Sequence, residues 1–361
     1  MSASAPVDGF VAVVSTTPAR LAPPAILAAL MLGLALVALL AISLGRYPVS
    51  PPTVAQVLLH KLLAWPATVG WTSVDEQVVW DVRLPRVAAA MLVGSGLAVC
   101  GTALQGVYRN PLVDPSIVGA APGAAFGGAA AILLFGGGEW VVPLAFAGGL
   151  LAMALVQLIA GLSGRFSVLA LVLAGVVVGA FFTALVSLTQ YLANPETTLP
   201  AIVYWLMGSF ATANWHRIAT AAPLIGLSAL ALLALRFRID LLSLGDEEAR
   251  ALGVRAPIIR AAVLVLVALI AASVVATCGI VGWVGLLAPH LARMAVGPAH
   301  RVLLPASALV GALLLVVVDT IARTATAAEI PLSVITALVG APVFALLLHR
   351  LALQGWNKDR E

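Results

Sequence analysis

Charged side chains are scarce in this 361-residue chain, so the chemistry open to it can be read from a few positions. Three consecutive acids, Asp246, Glu247 and Glu248, precede Arg250, Leu252 and Gly253. Acids in a first turn complement the positive end of a helix dipole, and glycine can close a helix in the left-handed conformation. The string therefore reads as a short polar helix ending at Gly253. Asp319 and Arg323 are four residues apart, hence on one helical face, and can pair. Asn110-Pro111 has the form of a turn initiator and helix stop. No catalytic set emerges. His60, His216, His290, His300 and His349 never stand at ligand spacing from a cysteine or carboxylate, so no metal site is expected. His290 and Arg293 share a helical face and read as structural, and no nucleophile elbow is present. Cys100 and Cys278 both sit in apolar stretches and read as buried bystanders. Neither lysine, Lys61 or Lys358, follows a glycine, so a Gly-x-x-x-x-Gly-Lys-[Ser/Thr] phosphate loop is impossible. The chain cannot by itself supply that type of ATPase.

The elements that position these residues follow from composition. The chain is 62% hydrophobic and 9% charged, with a mean hydropathy of +1.11, whereas a soluble domain carries about 25% charged residues. The bilayer is therefore its solvent. Lipid offers no partners to unpaired backbone groups, which leaves helices and closed barrels. Barrel strands alternate polar and apolar residues, but the runs here are continuous, as in Ala25–Ser43 and Ala261–Thr277. The expected fold is all-α and polytopic, with about ten spans. These are Pro24–Ser43, Val87–Gln105, Ile117–Phe135, Val141–Leu162, Val168–Gln190, Ile218–Leu235, Pro257–Thr277, Val281–Val296, Val302–Ile321 and Leu332–Leu351. They form one domain over residues 24–351, flanked by tails at 1–23 and 352–361. The weakly polar start with a lone Arg20 lacks the basic opening and short apolar core of a cleaved signal, so the first span is expected to be retained.

An even number of spans puts both termini on one side. With the N-terminus inside, thirteen of the nineteen Lys and Arg residues fall in inner segments, as the positive-inside rule requires. Orientation thus accounts for the net charge of +4, and no basic cluster interleaved with aromatics points to nucleic acid. Outside the spans, Arg46–Leu84 suits a short interfacial helix on the outer side, with Trp65, Trp71 and Trp80 as anchors. Residues 236–256 form a polar inner loop, and Ala201–Gly208, too short to cross, is expected to be re-entrant. Gly119, Gly123 and Gly127 recur every fourth residue, placing small residues on one face for close helix packing; Gly175 and Gly179 repeat the pattern.

Several blocks in order resemble the FecCD-type permease family, which imports iron chelates, haem and cobalamin. They are Arg83-Leu84-Pro85-Arg86, Asn110-Pro111-Leu112-Val113-Asp114-Pro115, Gly279-Ile280-Val281-Gly282-Trp283-Val284-Gly285-Leu286, Pro289-His290-Leu291-Ala292-Arg293, Asp319-Thr320-Ile321-Ala322-Arg323 and Gly340-Ala341-Pro342-Val343-Phe344. One departure is Cys278-Gly279-Ile280, where the family usually has Gly-Pro-Ile. The resemblance implies the type II ABC importer permease fold, in which two copies surround a pathway lined by the fifth span and Ala201–Gly208. It implies two ATPase subunits below, which bind ATP and Mg, and a periplasmic binding protein above. The chain itself then needs no cofactor and catalyses no reaction. Asp246, Glu247, Glu248, Arg250, Leu252 and Gly253 would dock into the ATPase. Arg83, Arg86 and Arg323 would receive acids of the binding protein, since the planar guanidinium fork binds a carboxylate bidentately. Asn110 and Leu112, with Ser167 and Val168, would close the cytoplasmic end. Ferric siderophores rank first as cargo, then haem, cobalamin and oxyanions such as molybdate; Gln190, Tyr191, Met207 and Ser209 do not discriminate among them. The bacterial inner membrane is the expected location, with both termini cytoplasmic. The competing reading, an ion-coupled transporter acting alone, needs ionisable groups deep in the membrane, and Asp319 is the only acid well inside a predicted span.

Overall fold

Apolar runs without polar side chains satisfy their backbone groups most simply by coiling. The computed structural model describes residues 22–65, 70–162 and 168–358, and every regular element among them is helical. In chain order these are α1 (Pro23–Ser43), α2 (Pro51–Leu63), α3 (Ser73–Gln77), a π-helical turn (Val78–Arg83) and α4 (Leu84–Tyr108). A 3-10 turn (Pro115–Val118) leads into α5 (Ala120–Phe135), followed by α6 (Val141–Leu162), α7 (Val168–Leu192) and α8 (Thr198–Leu206). Then come α9 (Trp215–Ala234), α10 (Arg236–Leu244), α11 (Asp246–Ala251), α12 (Ala256–Cys278), α13 (Val284–Val296), α14 (His300–Thr324) and α15 (Leu332–Lys358). Seven helices among the described residues are long and apolar enough to cross a membrane. Three shorter apolar stretches, Ala120–Phe135, Val284–Val296 and Leu332–Leu346, complete the set of ten expected from the sequence.

Helix α4 is the axis of the bundle. It is buried along most of its length and packs against α9, α12, α13 and α14. Glycine permits those contacts. A Cβ on Gly101 would lie 1.8 Å from the Gly285 carbonyl oxygen of α13, and one on Gly94 would lie 2.2 Å from the Gly311 oxygen of α14. Backbones meet directly there, which is how helices associate where lipid supplies no hydrophobic drive.

Several boundaries differ from expectation, each for a local reason. The second membrane helix begins at Ser73 instead of Val87, because Thr72 and Asp75 form a reciprocal capping box. Pro85 cannot donate a backbone hydrogen bond, and the helix widens into the π turn just before it, with Leu84 N–H reaching back to Val79. The third span starts at Ala120, not Ile117. Gly119, expected on the packing face, instead takes φ +82° as the cap between the 3-10 turn and α5. Gly123 and Gly127 do form the face, each meeting the backbone of α6. The eighth span starts at Val284, not Val281, after Trp283 at φ +70°. Helix α15 continues past Leu351 to Lys358, through most of the expected C-terminal tail. Nearly all of the N-terminal tail lies outside the described residues.

Candidate functional site

Two ends of the bundle and one cavity between them gather the polar residues. At one end, α10 and α11 form the polar loop. Glycine opens α11 at Gly245, and its end is a Schellman closure: Val254 N–H reaches the Ala249 carbonyl at 2.8 Å and Gly253 N–H the Arg250 carbonyl at 3.0 Å. Gly253 sits at φ +81°, the left-handed closure read from the sequence. Ala249 is turned inward, while Glu247, Glu248, Arg250, Leu252 and Gly253 are exposed, Leu252 at 58%. Asp246 is different. Its carboxylate accepts both terminal nitrogens of Arg260 in α12, at 2.5 and 2.9 Å. That hydrogen-bonded guanidinium holds the Asp246 carboxyl below its ordinary value, against an opposing desolvation. On α10, Asp240 accepts the backbone N–H of His300 and contacts its Nδ1 at 2.6 Å, tying α10 to α14. The polar loop of α10 and α11 thus rests on two bolts into the membrane helices, one from each helix.

Sequence reading missed both bolts. An arginine in the second turn of an apolar helix signals that a buried charge needs a partner, but nothing in the chain order says which acid supplies it.

Between the ends lies a cavity of ≈ 350 Å³, bordered by Leu112, Asp114, Ser116, Gly282, Trp283 and Leu286. Asn110 Oδ1 accepts the Leu112 N–H at 2.9 Å, a side-chain turn that holds Leu112 47% exposed at the cavity mouth. The structure therefore places Asn110 and Leu112 on one turn, with Leu112 lining this cavity. Ser167 lies outside the described residues, and Val168 is the first residue of α7. Trp283 holds the left-handed backbone at the start of α13, where Gly285 lies against Pro115. Its ring packs against Gly340 and Phe344 of α15.

At the opposite end, the three arginines Arg83, Arg86 and Arg323 converge with Arg46 and Glu329 on one open pocket of ≈ 220 Å³. None of the three points freely outward; they are 6%, 8% and 9% exposed. Arg83 donates to the carbonyls of Ile42 (2.7 Å), Ser43 (3.0 Å) and Tyr47. Arg323 donates to Leu44 (2.7 Å) and Ala41. Both guanidinium groups therefore cap the orphan carbonyls at the C-terminus of α1, where positive charge also complements the dipole. Arg86 donates from Nε to both Asp319 oxygens (2.9 and 3.0 Å) and from Nη1 and Nη2 to Glu329 (2.8 and 2.9 Å). The expected Asp319–Arg323 pair is present at 3.6 Å, but Arg86 is the main partner of Asp319. Glu329 has no sequence signal at all, since its pairing spans 243 positions. Among the described residues no group of three or more His, Cys, Asp or Glu could hold a metal ion.

The chain as a whole is similar to known proteins. A profile of the FecCD transport family matches residues 33–350. The chain is similar to the molybdate import system permease protein of Haemophilus influenzae, 44% identical over 338 residues, which covers 93% of this chain and 98% of that one. It is also similar to the cobalamin import system permease protein of Halobacterium salinarum, 38% identical over 355 residues, covering 88% and 94%. Its fold is similar to that of a metal-chelate type ABC transporter solved in an inward-facing conformation, with a TM-score of 0.81 and 43% identity, covering 91% of this chain and 99% of that chain.

Proposed function

From the premise that this chain belongs to the FecCD transport family, as a multi-pass permease subunit of an ABC importer, we propose that α11 is the lever through which a separate ATPase moves the bundle. The observation that carries the reading is the division of labour on α11. Its Asp246 is bolted to α12, while Glu247, Glu248, Arg250 and Leu252 present an open face. A force applied to that face passes into α12 through a charge-assisted fork, and into α14 through Asp240–His300. ATP and its Mg belong to the partner, because this chain contains no phosphate loop. The α11 end is then cytoplasmic, with both termini, and the arginine pocket faces the periplasm across a bacterial inner membrane.

The remaining roles follow from that orientation. Two copies pack around a pathway bordered by α7 and α8, as the permease role requires of a chain that forms one half of the conduit. Asn110 and Leu112, with Ser167 and Val168, close the cytoplasmic end. Arg83, Arg86 and Arg323, lining one pocket, make the seat for acidic side chains of a periplasmic binding protein. As cargo we place a molybdate-type oxyanion ahead of the ferric siderophore expected first from sequence. The 44% identity that spans 98% of the molybdate permease supports that order.

Reconstituted complexes of two permeases and two ATPases test the lever. Leu252→Asp is expected to leave the permease folded but to cut ATPase binding and transport by at least tenfold, because it charges the apolar tip of the contact. Transport at full rate in that variant would refute the reading. ATPase stimulation across molybdate, ferric siderophore, haem and cobalamin ranks the cargo, and stimulation by the siderophore alone would reverse the order given above.

A further inference from the structure

The arginine pocket contains an acid of its own. Glu329 lies in the loop between α14 and α15, with its side chain 27% exposed, and both its oxygens accept from the two terminal nitrogens of Arg86. This is the bidentate fork that an incoming carboxylate would use. Asp319 holds the Nε edge of the same guanidinium, but it is 1% exposed on a packed helix and cannot leave. Glu329 can. Its loop is fixed by backbone hydrogen bonds at Ile330, which donates to Ala322, and is pinned beyond that by Leu332 and Ser333 donating to Gly208 and Met207 after α8. Around the pocket stand four arginines against two carboxylates, Glu329 and the buried Asp319. The excess positive charge fits an acidic partner.

We propose that Glu329 is an internal stand-in for the partner's carboxylate: it occupies the Arg86 fork in the undocked permease and is displaced when an acidic side chain of the binding protein enters the pocket. The inference rests on the docking role given above to this pocket, and it identifies the contact that is exchanged. Arg83 and Arg323 stay on the α1 carbonyls throughout, since moving them would uncap a helix end. The contact that exchanges within this seat is therefore the Arg86 fork, beside the exposed Arg46, while Arg83 and Arg323 contribute their charge from the α1 carbonyls.

The test measures docking of the binding protein of the same import system to the full permease–ATPase complex in nanodiscs. Arg46→Glu, an exposed change that reverses the charge at the pocket rim and also removes the Arg46 hydrogen bond to the Ala327 carbonyl, is expected to weaken docking by roughly tenfold. Glu329→Gln removes the competing charge and is expected to tighten docking by roughly three- to tenfold. Glu329→Ala, which cannot fold back onto Arg86, is expected to match it, and thermal unfolding of each complex confirms the fold. If Arg46→Glu weakens docking while both Glu329 variants leave it unchanged or weaker, Glu329 is a support for Arg86 and the stand-in is overturned, with the docking pocket standing. If Arg46→Glu docks like the parent chain, the pocket itself is not the seat, and both readings fall.

Discussion

Arg86 shows how much a single buried charge can demand. Its guanidinium is satisfied on two edges by Asp319 and Glu329, at distances of 2.8–3.0 Å. Arg86→Met would leave Asp319 buried without its main partner, a loss of about 3–5 kcal/mol, seen as a lower unfolding temperature of the purified permease. The combined variant Arg86→Met, Asp319→Leu, Glu329→Gln removes the stranded charges and is expected to recover most of that loss. Asp246 makes the opposite kind of prediction, because it sits outside the spans. Its folded-state carboxyl is held below the ordinary aspartate value of 3.8 by Arg260. The group's contribution is therefore complete above that value and disappears as pH falls through the lower folded value. Hydrogen exchange at the Gly253 and Val254 amides, taken relative to the intrinsic rate at each pH, is expected to be flat through neutral pH and to rise in acid below the ordinary carboxylate range. Asp246→Asn should raise it at neutral pH. Of these residues, the sequence made Asp246 visible as the first acid of a polar helix and Arg86 as part of a motif. It concealed their partners, since Arg260 and Glu329 are joined to them only by folding.

At the scale of elements, glycine positions decide which helices touch. Gly101→Ala drives a methyl into the Gly285 carbonyl, and neither backbone can yield without moving α4 away from α13. The expected loss is about 1–3 kcal/mol of stability, measured by thermal unfolding in detergent. Gly226→Ala, in α9, meets nothing within 4 Å and is expected to be neutral, which separates a packing effect from a general effect of glycine removal. The ten apolar runs were legible because hydropathy alone reports them. Their ends were not, wherever a special backbone intervenes. The capping box at Thr72 moves one start toward the N-terminus, and the left-handed Gly119 and the left-handed Trp283 each move one the other way by several residues. The shortening matters. α13, with 13 residues, and α5, with 16, reach only about 20 and 24 Å. Their N-terminal ends therefore stop short, beside the cavity that Leu112 and Trp283 border.

For the whole molecule, labelling at the two polar ends checks the orientation proposed for the bundle. A cysteine replacing exposed Arg250 should react with a membrane-impermeant maleimide only from the cytoplasmic side, and one replacing exposed Arg46 only from the periplasmic side. The native Cys100 and Cys278 are buried and should stay silent in both. Reaction of both introduced cysteines from one side would refute the assigned topology. Sequence alone determined that the chain lives in a bilayer, that it crosses as helices, and that Asp246–Gly253 forms a capped polar helix. Those conclusions depend on composition, on period and on neighbours within one turn, all of which are local. The tertiary structure alone decided that Arg83 and Arg323 cap α1, that Arg86 holds Asp319 and Glu329 together, and that Arg260 anchors α11. A buried charge must be neutralised by whatever acceptor the fold delivers, and the fold draws those acceptors from positions as far as 282 residues away. Chain order carries no record of such a choice, because the requirement is for an opposite charge or an open carbonyl at about 3 Å in space.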